Sequence, residues 1–103
     1  MTRNSLMAGL PPTHPGGFLS RVVLPSLPVT KTRFAEMLGI TRQTLHNILR
    51  ERAPITTQVA VRLGKVCGNG PEIWLAMQQA HDLAKTEREL AEVLSTLPTL
   101  HAA

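Results

Sequence analysis

Seven hydrogen-bonding residues crowd into ten positions of this chain: Thr41, Arg42, Gln43, Thr44, His46, Asn47 and Arg50, interrupted only by Leu45, Ile48 and Leu49. On a helix the three apolar residues fall on one face and leave the polar ones outside. Such a surface can grip nucleic-acid bases. Arginine can be bidentate to guanine O6 and N7, and glutamine or asparagine to adenine N6 and N7. Arg42, Gln43, Asn47 and Thr44 are therefore the candidate base readers, with His46 beside them. Arg50 and Arg52 suit phosphates better. Thr30, Lys31, Thr32 and Thr41 stand at expected helix starts, where backbone N–H groups and hydroxyls can hold a phosphate. The plainer alternative is a solvated surface helix.

The elements that must position these residues are legible around them. In the window from Lys31 to Arg50, Phe34, Leu38, Ile40, Leu45 and Ile48 occupy inward positions, Ala35 stands where two crossing helices approach closely, and Gly39 stands at the tight turn. This is the helix-turn-helix pattern. Thr30 and Thr41 read as the N-caps of its two helices, and Gly39 as the stop of the first. An earlier helix is expected from Pro15 to Leu24, with Pro25 just after its end. A fourth follows Thr56, with Val59, Leu63 and Val66 inside and Gly68 at its stop. A fifth begins with Pro71 in its first turn and Glu72 near the positive end. Ile73, Ala76, Met77, Ala80, Leu83 and Ala84 make one apolar stripe, and Leu90, Val93, Leu94 and Leu97 another. Thr86 and Glu89 between them fit a capping box, so either one long helix runs through or a sixth begins near Thr86, the balance favouring a break or kink. No segment alternates like a strand. The expectation is an all-α fold of five or six helices, with a flexible segment at 1–13, one domain at 14–97 and a flexible tail at 98–103.

Bulk properties agree with a basic, helical binding module. The chain has 103 residues, enough for one domain with a modest core. Residues 1–67 carry nine Lys/Arg against two acids, whereas 68–103 carry two against five. The basic front and acidic back point to different partners. No apolar run approaches the ~18 residues of a membrane span, and the N-terminus lacks the roughly 7–15-residue apolar stretch of a secretory signal. Cys67 stands alone, which fits a reducing cytoplasm.

Three longer stretches carry a family likeness. "HPGGFL", "AEMLGITRQTLHNIL" and "ITTQVAVRLGKVCGNGPEIWLAMQQAHDL" resemble HigA-type antitoxins of bacterial toxin–antitoxin modules, within the Cro/lambda-repressor (XRE-type) helix-turn-helix fold. The likeness covers about residues 14–84. It implies a homodimer that binds a palindromic operator of double-stranded DNA in its own promoter and represses its own operon. It further implies a partner toxin, typically a RelE-like ribosome-dependent mRNA endonuclease, which the protein neutralises without being an enzyme. Members often dimerise through C-terminal helices, which here carry Trp74, Met77, His81, Leu83, Leu90 and Leu94. The chain departs from the pattern at Gly17, often acidic, at "RERAPIT", where Glu51 replaces a helix-stopping glycine, and at His81, often aromatic. A stand-alone regulator without a toxin, or a purely protein-binding inhibitor, are the alternatives.

The other conspicuous residues read blandly. Trp74 reads first as core and second as a dimer anchor. Cys67 reads as an inert thiol. His14, His46, His81 and His101 show no metal-ligand spacing, so neither a metal nor a cofactor is expected. His81 and Asp82 are sequence neighbours, which do not face each other on a helix, and no nucleophile motif accompanies them.

Overall fold

The computed structural model describes residues 13–102, and every regular element among them is helical. All of the expected segment 1–13 except Thr13 lies outside these residues. In the tail, residues 98–102 are exposed and irregular, and Ala103 is outside the description. The chain runs through α1 (Pro15–Phe18), a π turn (Leu19–Val23), α2 (Leu24–Ser26), α3 (Lys31–Leu38), α4 (Arg42–Leu49), α5 (Thr57–Cys67), α6 (Glu72–Glu89) and α7 (Ala91–Thr96).

Local chemistry sets most of these boundaries. Thr30, Thr41 and Thr56 each cap a helix by accepting from the backbone N–H three residues on, in Arg33, Thr44 and Val59. Gly39 closes α3 at φ 69°. There the N–H of Ile40 reaches the Ala35 carbonyl at 3.1 Å and that of Gly39 reaches Glu36 at 3.0 Å, the paired bonds of a Schellman motif. Buried Phe34, Ala35, Leu38, Leu45 and Ile48 join α3 to α4 over one core, which Leu19, Ile55, Ala60, Leu63 and Trp74 complete.

The first helical run differs from its expected form. It ends at Ser26 and not at Leu24, with Pro25 inside its last turn. Proline donates no N–H and its ring crowds the carbonyl four residues back. The run opens into a π turn just upstream, where the N–H of Leu24 bonds to the Leu19 carbonyl.

Two further expectations are corrected at the C-terminal end. Helix α6 runs straight through Thr86, so the Thr86–Glu89 capping box is not used, and the break falls at Leu90 (φ −99°, ψ 9°). Strong helix formers fill that stretch without glycine or proline, and Lys85 pairs with Glu89 at 3.4 Å. The buried face of α6 is also offset from its apolar stripe. Trp74 and Gln78 are buried and Met77 and His81 half-buried, whereas Ile73, Ala76, Ala80 and Leu83 face solvent.

Long-range polar bonds lock this frame. Buried Gln78 accepts from the Ile55 N–H at 2.7 Å and donates to Asp82 at 3.0 Å, tying the loop after α4 to α6. Arg62 of α5 donates to the Leu38 carbonyl at 2.8 Å, capping α3 where it turns into α4.

Candidate nucleic-acid interface

Helix α4 is pinned from two sides. Its apolar seam of Leu45, Ile48 and Leu49 is buried, and α1 lies across its last turn. The "His-Pro-Gly" stretch explains the second contact. His14 is the N-cap of α1, and its Nδ1 accepts from the Gly16 N–H at 2.9 Å. Burial, and next the His81 ring, hold the His14 pKa below its ordinary value, which favours the neutral ring that a cap needs. Pro15 fills the first helical position, where no N–H is required. Gly16 lets the two backbones touch, because a Cβ there would collide with the Ile48 carbonyl oxygen.

With the inner face clamped, the outer face carries the expected side chains. Arg42, Gln43, Thr44, His46 and Arg50 are exposed and Asn47 is half-buried. Arg42 has no hydrogen-bond or ion-pair partner among the described residues, and it stands in the first turn of α4. Gln43 Nε2 donates to Asn47 Oδ1 at 3.0 Å, one turn along the helix. Thr41 Oγ1 accepts from the Thr44 N–H at 3.0 Å and donates to Thr44 Oγ1 at 2.8 Å. The Thr30 oxygen is likewise spent on its cap, at 3.1 Å from the Arg33 nitrogen. Lys31, Thr32 and Arg52 are exposed. The candidate readers thus stand exposed, or in the case of Asn47 half-buried, along two packed consecutive helices and the residues that flank them, with few counter-charges: Glu36 is 3.7 Å from Arg33, and Glu51 is 3.6 Å from Arg21.

The end of α4 shows what the departure at "RERAPIT" does. Glu51 sits at φ 61°, the one non-glycine residue in left-handed conformation among those described. Its N–H reaches the Ile48 carbonyl at 3.0 Å, and that of Arg52 reaches Asn47 at 2.9 Å. This is a second Schellman closure, with glutamate in the glycine position. The two departures seen in the sequence are neighbours here: the Glu51 carboxylate and the Arg21 guanidinium occupy the space that a Cβ on Gly17 would enter. An acid supplied from position 51 stands where one at position 17 was expected.

A left-handed non-glycine residue costs about 1–2 kcal/mol, and an exposed ion pair returns about 0–1 kcal/mol. Glu51→Gly is therefore expected to stabilise the fold by roughly 0.5–1 kcal/mol, read as a higher urea midpoint at unchanged slope. An unchanged or lower midpoint would show that the pair with Arg21 outweighs the strain.

His81 Nδ1 does approach Asp82 Oδ1, at 3.4 Å, contrary to the expectation that neighbours on a helix stay apart. The neighbours of this pair are the edge-on His14 ring, at 4.8 Å between centroids, and Gln78. Among the described residues no three His, Cys, Asp or Glu side chains gather as a metal set, and no helix is long and apolar enough to cross a membrane. Cys67 is half-buried, which pushes its thiol pKa up.

Of the residues named for a dimer surface, Trp74 is fully enclosed in its own chain. Its Nε1 donates to Asn69 Oδ1 at 3.1 Å, and its ring lies 6.0 Å from that of Phe18. The structure places it in the core of its own chain. Met77 and His81 are half-buried, and Leu83, Leu90 and Leu94 are exposed. Sequence reasoning missed Gln78, Arg62 and the capping role of His14. Their partners lie in other elements or use a side chain seldom read as a cap. The short "HPG" spacing before a helix was the one signal available for His14.

Comparison with known proteins follows the same line. A helix-turn-helix family model matches residues 29–75. Antitoxin HigA-1 of Vibrio cholerae is 33% identical over 81 residues, covering 79% of this chain and 76% of that protein. An HTH-type transcriptional regulator of Haemophilus influenzae is 32% identical over 93 residues, covering 87% of each. Among solved structures, antitoxin GraA in complex with its operator superposes with a TM-score of 0.82 at 31% identity, covering 99% of this chain and 100% of that one.

Proposed function

Starting from a chain that belongs to the HigA-type antitoxin family of XRE-type helix-turn-helix proteins, we propose that it is an antitoxin and transcriptional autorepressor acting in the cytoplasm. As a homodimer it binds a palindromic operator in its own promoter, and it neutralises a RelE-like mRNA endonuclease toxin encoded beside it. The observation that carries the reading is the exposed face of α4, clamped from behind by its buried seam and by Gly16, with unpaired Arg42 at its start. Its N-terminal turns are what such a helix inserts into the major groove. GraA, similar along nearly the whole chain, is known with its operator bound, which supports DNA as the ligand.

Support for a dimer comes from the far end. Residues 85–100 are all exposed, yet they include Leu90, Val93, Leu94 and Leu97, and Leu83 borders an open groove along α6. A contiguous exposed apolar patch of this kind marks a surface that another protein covers. Acids dominate the C-terminal third and basic residues the front, so a two-fold pairing through α6 and α7 keeps the basic faces outward for two half-sites.

The test is a gel shift on the protein's own upstream DNA. Binding is expected to fall steeply with salt, because Lys and Arg side chains displace condensed counterions. Arg42→Ala is expected to cost about 1–3 kcal/mol at its matched base and to relax specificity there. Unchanged affinity and sequence preference would remove α4 from the interface. Co-expression with the neighbouring reading frame, scored by growth rescue and co-purification, separates the antitoxin from a stand-alone regulator.

A further inference from the structure

We propose that Gln43 and Asn47 act as one composite reader, selective for adenine at a single position of each half-site; the inference rests on the DNA-binding reading above. The observation is the side-chain bond from Gln43 Nε2 to Asn47 Oδ1, at 3.0 Å on the outer face of α4.

That bond fixes which atoms remain to be read. It occupies one lone pair of Asn47 Oδ1 and one Gln43 hydrogen. Gln43 Oε1 is left as an acceptor, with the second Nε2 hydrogen and the Asn47 amide hydrogens as donors beside it. An acceptor flanked by donors matches a base edge that presents a donor next to an acceptor. In the major groove, adenine alone does so, through N6 and N7. Guanine shows two acceptors and would leave Oε1 unpaired. Thymine shows an acceptor and a methyl group, and cytosine a donor with no acceptor on the same base.

The bond is well placed to stay formed. The Asn47 backbone is held by the closure of α4, since its carbonyl accepts from the N–H groups of Arg52 at 2.9 Å and Ala53 at 3.2 Å. Half-buried Asn47 is thus the positioning member and exposed Gln43 the member that reaches outward. Thr41 and Thr44 do not compete for either amide, because they are bonded to each other.

The experiment is selection and sequencing from a randomised duplex library, using the full chain at one fixed salt concentration. The proteins compared are wild type, Gln43→Ala, Asn47→Ala and the double variant. Wild type is expected to select an A·T pair at one position per half-site. Each single variant should weaken that preference about 10- to 100-fold and leave the other positions intact. The double variant should lose no more than the worse single, because the two side chains act as a unit. Relaxation at two different positions, additive losses, or a G·C pair at the shared position would each overturn the composite reader while leaving DNA binding standing. A wild-type protein that selects no sequence would overturn the DNA-binding reading and this inference together. Circular dichroism checks that these surface variants remain folded.

Discussion

Gly16→Ala is expected to cost about 2–4 kcal/mol of stability and to weaken DNA binding in the molecules that still fold. Alanine is normally an improvement over glycine inside a helix, by roughly 0.5–1 kcal/mol, so the expected sign is opposite to helix propensity. The reason is where the added methyl goes. It would land on the carbonyl oxygen of Ile48, with the carbonyl carbon 2.9 Å away. Both atoms are backbone, so no side-chain rotation relieves the contact. Helix α1 cannot retreat cheaply either, since His14, Pro15 and Leu19 on its side are buried. The Ile48 carbonyl also accepts the N–H of Glu51, so a push there disturbs the closure of α4 and the seat of Asn47. Urea unfolding measures the first effect, and a gel shift corrected for folded fraction measures the second. Gly68→Ala is the control: it has left-handed φ but nothing within 4 Å of an added Cβ. It should cost only the conformational penalty of about 1–2 kcal/mol. If Gly16→Ala costs no more than Gly68→Ala, the close approach of α1 to α4 is not what the glycine serves.

What the sequence revealed, and what it hid, divides by range. Threonine caps, the Gly39 turn and the inward positions of α3 and α4 are decided by residues within a turn or two of each other, and all were legible. The clamp on α4 was not. Gly16 meets Ile48 across 32 positions, and glycine in "HPGG" gives no sign of which backbone it faces. Gln78 and Arg62 reach 23 and 24 positions back, and nothing in their local sequence names those partners. In α6 the apolar stripe misled because burial follows packing. Trp74 enters the core and sets the rotation of the helix, which leaves Ile73 46% exposed while polar Gln78 turns inward. The capping box at Thr86 failed for an energetic reason. A cap offers about 1 kcal/mol, too little to interrupt a run of good helix formers paired through Lys85 and Glu89. At the interface itself, residue types gave the chemistry of the candidate readers. Only the structure joined Gln43 to Asn47 and left Arg42 without a partner among the described residues.

Trp74→Ala is expected to cost about 3–5 kcal/mol, the range for emptying a fully buried aromatic site. The side chain is 0% exposed, lies against Phe18 from the first helical run, and is fixed by its bond to Asn69 in the loop that precedes α6. Its loss therefore detaches three elements at once: α1, α6 and the turn between α5 and α6. For a domain this small the cost is a large share of the usual 5–15 kcal/mol, so partial unfolding at physiological temperature is the expected outcome. Two milder variants separate volume from hydrogen bonding. Trp74→Phe keeps part of the ring volume and should lose less. Asn69→Ala keeps the ring but strands its N–H, at about 1–3 kcal/mol. The same series decides between the two roles the residue suggested at first sight. A dimer anchor, once truncated, would raise the monomer–dimer dissociation constant with little change in the stability of each monomer. A core residue lowers the unfolding free energy, and under the proposed pairing through α6 and α7 the exposed leucines would still join what remains folded. Denaturation followed alongside sedimentation equilibrium reads both quantities. Leu90→Glu or Leu94→Glu on the exposed face should give the converse pattern, a weakened dimer built from stable monomers. If instead Trp74→Ala shifts only the association constant, the enclosed site is not where the tryptophan does its work.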